Sequence, residues 1–273
     1  MCKEIVVHNF LRLRQYILRQ KADSRVEETP MTYCVGIKLN QGLVLLADTR
    51  TNAGVDNISR VKKLFTWQIP GDRIIAMMTA GNLAITQAVI SELNERLDAP
   101  NPNQPTIYSV PTMFEVAQVV GDTMRKIQAR YAPGLAARNV DSSASILVAG
   151  QRVGGIPRMF MVYAAGNFIE ATDDSPFFQL GEHKYGKPIL DRVINVETEI
   201  QDGVICALLS MDSTMRSNLT VGMPLDLAVI RTNSFMFEQL RRIEADDPKF
   251  YDFSNAWSNA LRDAFSQMRN MDI

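Results

Sequence analysis

The chain has 273 residues, 46% of them hydrophobic and 22% charged, a balance typical of globular proteins with a sizeable core. Its 29 basic and 30 acidic residues give a net charge of −1, which argues against nucleic acid as a partner. No apolar run approaches the roughly 20 residues that a membrane-spanning helix needs, so no membrane association is expected.

The three cysteines, Cys2, Cys34 and Cys206, lie far apart and form no C-x-x-C motif. This spacing argues against a disulfide framework and a zinc site, and it favours a reducing cytoplasm. The chain start lacks a long apolar segment, so no secretory signal is predicted. We expect neither a metal nor an organic cofactor.

Residues 1–31 differ in pattern from the rest of the chain. Apolar residues recur at helical spacing with arginines among them, and a polar run follows that ends at Pro30. Two interpretations stay open: residues 1–31 are a removable propeptide, or the start is mis-assigned and translation begins at Met31. Both leave Thr32 first, because methionine is readily trimmed before a small residue. We therefore divide the chain into a leader, 1–31, and a single domain, 32–273.

The first half of that domain predicts two hairpins followed by two helices. The hairpin strands are expected at 32–39 with 43–48 and at 64–67 with 73–79, each pair separated by turn residues. The polar stretch 50–61 is expected to be a loop. The helices are expected at about 82–97 and from after Pro111 to about Tyr131, where Ala132, Pro133 and Gly134 end it.

The second half returns to strands before it ends in helices. Strands are expected at 144–149, 159–165, 168–171 and 225–231, and helices at 185–193, 204–219 and 255–271. This order does not alternate strictly, as a doubly wound fold would. We therefore predict an α+β fold, a four-layer αββα sandwich of two largely antiparallel sheets with helices on both outer faces.

The common hydrolase signatures are absent from the sequence. There is no G-x-S-x-G elbow, no H-E-x-x-H motif and no P-loop. Outside the leader, which holds His8, the one histidine is His183, and it is expected at the surface or an interface. Nothing near Cys34 in sequence would activate its thiol, so a buried strand cysteine is the better interpretation.

Thr32 offers a different kind of nucleophile. If the chain is cut before it, the hydroxyl and a free α-amine lie on the same residue, so the nucleophile carries its own base. A threonine in a strand is commonplace, and the hypothesis depends on four further features. They are Gly36, the Asp48-x-Arg50 sequence, Gly54 followed by the Lys62–Lys63 pair, and Thr79-Ala80-Gly81.

With these features the chain resembles the proteasome β-type peptidases of the N-terminal nucleophile hydrolase superfamily. The sequence is most similar to that of the bacterial ancestral β-subunit group known as Anbu. The segments that carry this similarity are MTYCVGIKL at 31–39, ADTRTNAGVDNIS at 47–59, LGEHKYGKPILD at 180–191, and DDP at 246–248 with Trp257. The resemblance covers about residues 31–270.

The resemblance implies a role for each matching residue. The Thr32 hydroxyl would attack a peptide carbonyl, and its α-amine, with an ordinary pKa of about 8, would take the proton. Lys63 would favour the deprotonated forms of both groups, and Asp48 would orient the lysine. Gly81 is our choice for the amide that stabilises the oxyanion.

The sequence departs from the ordinary proteasome pattern at several points. The lysine arrives one residue early, so Lys62 is a rival to Lys63, which we favour because it directly precedes apolar Leu64. The serine-rich runs of proteasome subunits correspond here to residues 181–184 and 217–222, so the groups around the terminal amine are altered. Ser217 and Thr220 are candidates to replace some of the lost hydrogen bonds.

Three functional hypotheses follow. The first is a cytoplasmic threonine peptidase that acts on peptides or unfolded proteins as a ring or spiral of identical subunits, with an unfoldase as a further candidate partner. The second is an amidase for small amides on the same fold. The third is a catalytically weak assembly or binding subunit.

Overall fold

The computed structural model describes residues 32–52 and 58–269, and the leader lies outside the described residues. Residues Met31–Ile273 form one compact unit. Its first sheet has the strand order β10-β1-β2-β11-β12, and every pair of neighbours is antiparallel. These strands are β1 (Tyr33–Leu39), β2 (Gly42–Asp48), β10 (Phe177–Gly181), β11 (Leu225–Arg231) and β12 (Phe237–Ile243).

The second sheet has the order β5-β6-β7-β8-β9 and is also antiparallel throughout. Its strands are β5 (Leu64–Ile69), β6 (Arg73–Gly81), β7 (Ala144–Arg152), β8 (Arg158–Val162) and β9 (Phe168–Glu170). In the chain between β2 and β5, two short strands pair in an antiparallel manner, where the sequence predicts a loop. They are β3 (Arg50–Asn52) and β4 (Ile58–Arg60).

Five helices complete the described part of the chain. They are α1 (Leu83–Asp98), α2 (Met113–Ala136), α3 (Lys187–Val193), α4 (Ile200–Ser217) and α5 (Pro248–Met268). One apolar cluster joins α1 and α2 to the second sheet, and another joins α3, α4 and the start of α5 to the first. A third cluster lies between the sheets. The predicted four-layer αββα sandwich is therefore confirmed.

The two sheets approach each other closely at Gly36. A Cβ atom on Gly36 would lie 2.8 Å from Met159 Sδ and 2.9 Å from Leu147 Cδ1. Strand β2 is buried along its whole length, as its continuous apolar run predicts. The first hairpin is thereby fixed against both the helices and the second sheet.

Several predicted boundaries are wrong, for identifiable reasons. Helix α2 continues through Pro133 to Ala136, because a proline in the last turn removes only one backbone hydrogen bond. Helix α5 begins at Pro248 rather than 255, since the Asp247 side chain caps it by accepting from Lys249 N and Phe250 N. Strands β10 and β12 are edge strands that the sequence analysis missed.

Candidate active site

Thr32 lies immediately before β1 and is partly exposed. Its carbonyl oxygen accepts a hydrogen bond of 2.8 Å from the backbone N–H of Glu182, which follows the partner strand β10. Gly181, the last residue of β10, has φ +78°, and a Cβ atom there would collide with the Thr32 carbonyl oxygen. The pairing of β1 with β10 therefore fixes the backbone of Thr32 against a glycine that has no room for a side chain.

Asp48 ends β2 next to Thr32 and is fully buried. One carboxylate oxygen accepts from Tyr33 N at 3.0 Å, so it contacts the peptide that joins Thr32 to Tyr33. The other accepts from Gly222 N at 3.4 Å. Burial raises the pKa of the Asp48 carboxyl, and the Lys63 ammonium and these two N–H groups oppose that effect by stabilising its charged form.

Lys63 precedes β5 and reaches across to the same carboxylate. Its Nζ lies 2.6 Å from Asp48 Oδ1 and 2.7 Å from the Arg50 carbonyl oxygen, and the residue is only 5% exposed. The ammonium and the Tyr33 N–H thus share one carboxylate oxygen. A buried pair of this kind is costly to break, because removal of one partner leaves an uncompensated charge.

Lys62, the rival lysine, points elsewhere. It is exposed, and its Nζ lies 5.4 Å from the centre of the Phe65 ring. The geometry therefore favours Lys63 as the lysine that accompanies Thr32 and Asp48.

Gly81 ends β6, on the strand next to Lys63. The N–H of Asn82 donates to Ser143 O, towards β7, whereas the N–H of Thr79 donates to Lys63 O, on the β5 side. N–H directions alternate along an antiparallel strand, so the Gly81 N–H points to the same side as that of Thr79. Strand β5 begins only at Leu64, which pairs with Met78, so the Gly81 N–H lies past the start of β5 and takes no part in its ladder.

Thr220 belongs to a polar network that the sequence analysis did not anticipate. Asn218 Oδ1 accepts from Thr220 N at 3.0 Å and from Thr220 Oγ1 at 2.6 Å. Asn218 Nδ2 in turn donates to Glu182 Oε2 at 3.3 Å, and the other oxygen of Glu182 accepts from Lys184 N. Glu182 and Asn218 are only 4% and 6% exposed. This places a buried carboxylate on the residue whose N–H holds the Thr32 carbonyl.

Ser217, by contrast, is the exposed last residue of α4. Within residues 32–52 and 58–269 its hydroxyl makes no hydrogen bond. The structure thus brings Thr32, Asp48, Lys63, Gly81 and Thr220 to one end of the sandwich and leaves Ser217 outside. Glu182 and Asn218 are the residues that sequence reasoning missed.

The other candidate nucleophile and base do not form a site. Cys34 is fully buried in β1, and burial raises the pKa of its thiol far above the ordinary range. His183 is exposed, as expected. No group of three or more His, Cys, Asp or Glu side chains suited to a metal ion occurs among the described residues. In the same part of the chain, no helix combines the length and apolar character needed to span a bilayer.

A family model of known proteins matches most of the chain. The family model described as "Proteasome subunit" matches residues 31–230. Comparison with curated proteins gave no match.

Three solved structures are similar to this chain over most of its length. Anbu (Gly-1) mutant from Hyphomicrobium sp. strain MC1 is 48% identical, with 89% of this chain and 100% of that chain covered and a TM-score of 0.82. Anbu (ancestral beta-subunit) from Yersinia bercovieri is 43% identical, with 89% and 99% covered and a TM-score of 0.83. The helical assembly of the Anbu complex from Pseudomonas aeruginosa is 45% identical, with 86% and 96% covered and a TM-score of 0.82. The chain therefore belongs to the proteasome subunit family, and within it to the ancestral β-subunit group known as Anbu.

Proposed function

We propose that the chain is a threonine-type hydrolase that cleaves peptide bonds, with Thr32 as its N-terminal nucleophile. The observation that carries this proposal is the buried Asp48–Lys63 pair, whose shared carboxylate oxygen also accepts from the Tyr33 N–H. A cation and a carboxylate are thereby held at the peptide next to Thr32. Family membership supports the same assignment.

The chemistry requires that residue 32 be the amino terminus. The Thr32 Oγ then attacks the carbonyl carbon of the substrate while its proton passes to the α-amine, directly or through a water. The Lys63 ammonium favours the unprotonated amine and the forming alkoxide. The Gly81 N–H stabilises the oxyanion of the tetrahedral intermediate.

Collapse of that intermediate breaks the C–N bond, and the α-ammonium gives its proton to the leaving amine. The acyl group remains on Thr32 as an ester. A water molecule then attacks the ester with the α-amine again as base, which releases the acid and restores the hydroxyl.

We further propose that Glu182, Asn218 and Thr220 form the polar surroundings of the freed α-amine. Glu182 already bonds the Thr32 carbonyl through its N–H, and its carboxylate is tied to Thr220 through Asn218. In ordinary proteasome subunits serines and an aspartate occupy this part of the site. Because the groups around the α-amine differ, peptide hydrolysis by this chain is expected to depend on pH differently from hydrolysis by ordinary proteasome subunits.

The remaining parts of the proposal concern setting and partners. We propose that the enzyme works as an assembly of identical subunits, in line with the helical assembly of the similar Pseudomonas aeruginosa protein. Peptides or unfolded proteins are the proposed substrates, with an unfoldase as a candidate partner. A reducing cytoplasm suits Cys34 and Cys206, which are buried and unpaired.

Covalent labelling tests the central claim. The purified protein is treated with a peptide epoxyketone or a β-lactone, digested, and analysed by mass spectrometry. We expect one label on a peptide that begins with Thr32, and an intact mass without residues 1–31. Absence of label on protein that does begin with Thr32 would count against catalysis and favour an assembly subunit. A labelled protein that cleaves small amides but no peptides would instead favour an amidase.

Gly181→Ala provides a test of the Thr32 position. We expect it to lower peptide hydrolysis by at least about 100-fold, since a 1 Å misplacement of a reacting group has this scale of effect. The new Cβ atom would collide with the Thr32 carbonyl oxygen and displace the residue. The measurement is the rate of fluorogenic peptide hydrolysis at saturating substrate.

Gly154→Ala is the matched control for that variant. Gly154 has φ +76°, almost the same as Gly181, but no atom lies within 4 Å of its added Cβ. Both variants therefore carry the same backbone strain, of about 1–2 kcal/mol. Equal activities of the two would show that contact with Thr32 is unimportant.

A further inference from the structure

The residue that follows the proposed nucleophile, Tyr33, carries a polar group into the core. It is 0% exposed, and its ring packs in the apolar cluster between the first sheet and helices α3 and α4. Burial raises the pKa of the phenol far above its ordinary value, so the group stays protonated and neutral. A buried hydroxyl is costly unless it is hydrogen-bonded, and a phenylalanine would fill nearly the same space without that cost. The contacts of the phenol oxygen therefore indicate what it does.

Two polar side chains meet this oxygen, one from β10 and one from α4. Gln179 Nε2 donates to Tyr33 Oη at 2.6 Å, and Ser210 Oγ lies 2.5 Å from the same atom. An amide nitrogen can only donate, so the phenol hydrogen remains available for Ser210 Oγ. The side chain of Tyr33 thus joins its own strand, β1, to the edge strand β10 and to helix α4.

Gln179 also binds the turn that carries Glu182. In the register of β1 with β10, Gly181 lies opposite Tyr33, and Gln179 is the diagonal neighbour on the same face. Gly181 has no side chain, so Gln179 can reach past it to the phenol. The same Gln179 Nε2 donates to the carbonyl oxygen of His183 at 3.4 Å. The turn that contains Glu182 is thereby tied to the phenol.

The backbone that leads into α3 encloses this network. A Cβ atom on Gly186 would collide with Ser210 Oγ and would lie 2.6 Å from Tyr33 Oη. Gly186 has ordinary helical dihedral angles, φ −88° and ψ −28°, so the close approach itself, and not backbone strain, requires a glycine here. The phenol is therefore held in place by packing as well as by hydrogen bonds.

The backbone of Tyr33 contacts the other half of the candidate site. Its N–H donates to Asp48 Oδ1, the oxygen that also binds the Lys63 ammonium. Tyr33 is thus bonded to the buried ion pair through its backbone and to the turn of Glu182 through its side chain. The Thr32 residue lies where these two halves meet, since its carbonyl oxygen accepts from the N–H of Glu182.

We propose that Tyr33 is a positioning residue, whose phenol holds the turn of Glu182 against Thr32 through its bonds to Gln179 and Ser210. This contact places the Glu182 carboxylate beside the freed α-amine. The inference rests on the proposed function, and it gives a part in that function to a side chain that is buried in the core.

Tyr33→Phe retains the ring and removes only the oxygen. We expect kcat for fluorogenic peptide hydrolysis to fall by about tenfold or more, with KM within about threefold of wild type, because the reacting groups lose their alignment. The Thr32 hydroxyl remains, so the epoxyketone label should still form. Tyr108→Phe is the matched control. That phenol also makes two hydrogen bonds, to the backbone N–H and carbonyl of Gln68 in the second sheet, and its loss should leave kcat unchanged.

The pH profile of kcat separates positioning from a simple loss of folded protein. A carboxylate beside an amine favours the protonated amine, so release of Glu182 makes the α-amine easier to deprotonate. Because catalysis needs the unprotonated amine, the acid limb of the kcat profile should move to lower pH in Tyr33→Phe. A smaller fraction of folded protein would lower the whole profile without moving this limb.

The other charged side chains of this region are not expected to move the acid limb. Asp48 and Lys63 keep their bond to each other, because the Tyr33 N–H and the ion pair are unchanged by loss of the phenol. Arg50 donates to a backbone carbonyl after α4 and contacts neither Gln179 nor the phenol through a hydrogen bond. His183 and Lys184 are exposed, so solvent and salt screen their charges.

Gln179→Met tests the same network from a partly buried position, where folding is less at risk. Methionine is similar in length but cannot donate to the phenol or to the His183 carbonyl, so kcat and the acid limb should change as in Tyr33→Phe. Gln128→Met is the matched control. Gln128 is also partly buried and donates to a backbone carbonyl, that of Ser142, and its replacement should leave kcat as in wild type.

Hydrogen exchange shows whether the turn itself is released. In the proteins that carry Tyr33→Phe or Gln179→Met, backbone amides of residues 181–186 should exchange several-fold faster than in wild type, whereas both controls should match wild type. Unchanged exchange would overturn the inference. Faster exchange with an unchanged kcat and acid limb would also overturn it, and either result would leave the role of Thr32 intact. Wild-type protein that begins with Thr32 and takes no label would defeat the proposed function and this inference with it.

Discussion

Replacing Thr32 with alanine is expected to abolish peptide hydrolysis, with a loss of more than about 1,000-fold. An alanine at this position retains the α-amine but lacks the oxygen that forms the ester. Loss of the nucleophile is among the most damaging changes to an enzyme. The variant should be produced from Met31, so that trimming of the methionine exposes residue 32. Rates of fluorogenic peptide cleavage and the fraction of covalently labelled protein measure the effect.

Thr32→Ser is the matched comparison. It retains a hydroxyl beside the α-amine, so we expect labelling to persist and activity to remain within about tenfold to 100-fold of the parent. Intact mass must show that all three proteins begin at residue 32. Equal activity of the alanine and serine variants would exclude Thr32 as the nucleophile, and it would direct attention to the other hydroxyls of the site.

Lys63→Met is expected to have the second largest effect, on both stability and catalysis. It leaves the fully buried Asp48 without its cation, so the free energy of unfolding should fall by about 3–5 kcal/mol. Hydrolysis should fall by at least about 100-fold, because the charge that favours the reactive forms of Thr32 is lost. Urea denaturation and steady-state kinetics measure the two effects separately.

Two further variants make that prediction specific. Asp48→Asn combined with Lys63→Met removes both charges, so it should recover much of the lost stability and none of the lost activity. Lys62→Met removes the neighbouring lysine, which is exposed, and should change stability by less than about 1 kcal/mol. Loss of activity in Lys62→Met with retention in Lys63→Met would reverse our assignment of the lysine.

The part of the site that sequence reasoning recovered comes from local patterns. Tyr33–Leu39 and Gly42–Asp48 form an apolar hairpin with a short turn, so its strands and the position of Asp48 at its end follow from neighbouring residues alone. Lys63 directly precedes the next strand and is placed by it. The chemical roles of these residues came from the family resemblance, because hydrophobic periodicity carries no information on catalytic roles.

The part that was missed depends on contacts between distant segments. Glu182 reaches Thr32 because β10 pairs with β1, which lies almost 150 residues earlier in the chain. Asn218 follows a helix and reaches Glu182 only through the folded core. A lone Glu after a short strand and an Asn after a helix have many ordinary explanations, so neither carried a local signal. Glu182 directly follows β10, so only a prediction of that edge strand and of its pairing with β1 would have found it.

Edge strands were missed for a related reason. β12 has the sequence FEQLRRI and is exposed at most of its positions, so its pattern resembles that of a surface loop. It is a strand because β11 offers it an unpaired edge, which is a property of the assembled sheet. Local propensity is a weak predictor where the neighbour in space decides the conformation.

The close approach at Gly36 has a consequence for how this molecule would respond to change. Thr32 precedes the first strand of one sheet and Asp48 ends its second strand, whereas Lys63 leads into the other sheet. Met159 and Leu147 of that other sheet lie against Gly36 of the first. A larger side chain between the two sheets would shift one sheet relative to the other. This shift would separate the Lys63 ammonium from the Asp48 carboxylate, while the hydrogen bonds within each sheet stayed intact. The rate of turnover would then depend on the relative position of the two sheets, and it would be lost under changes too small to unfold the chain.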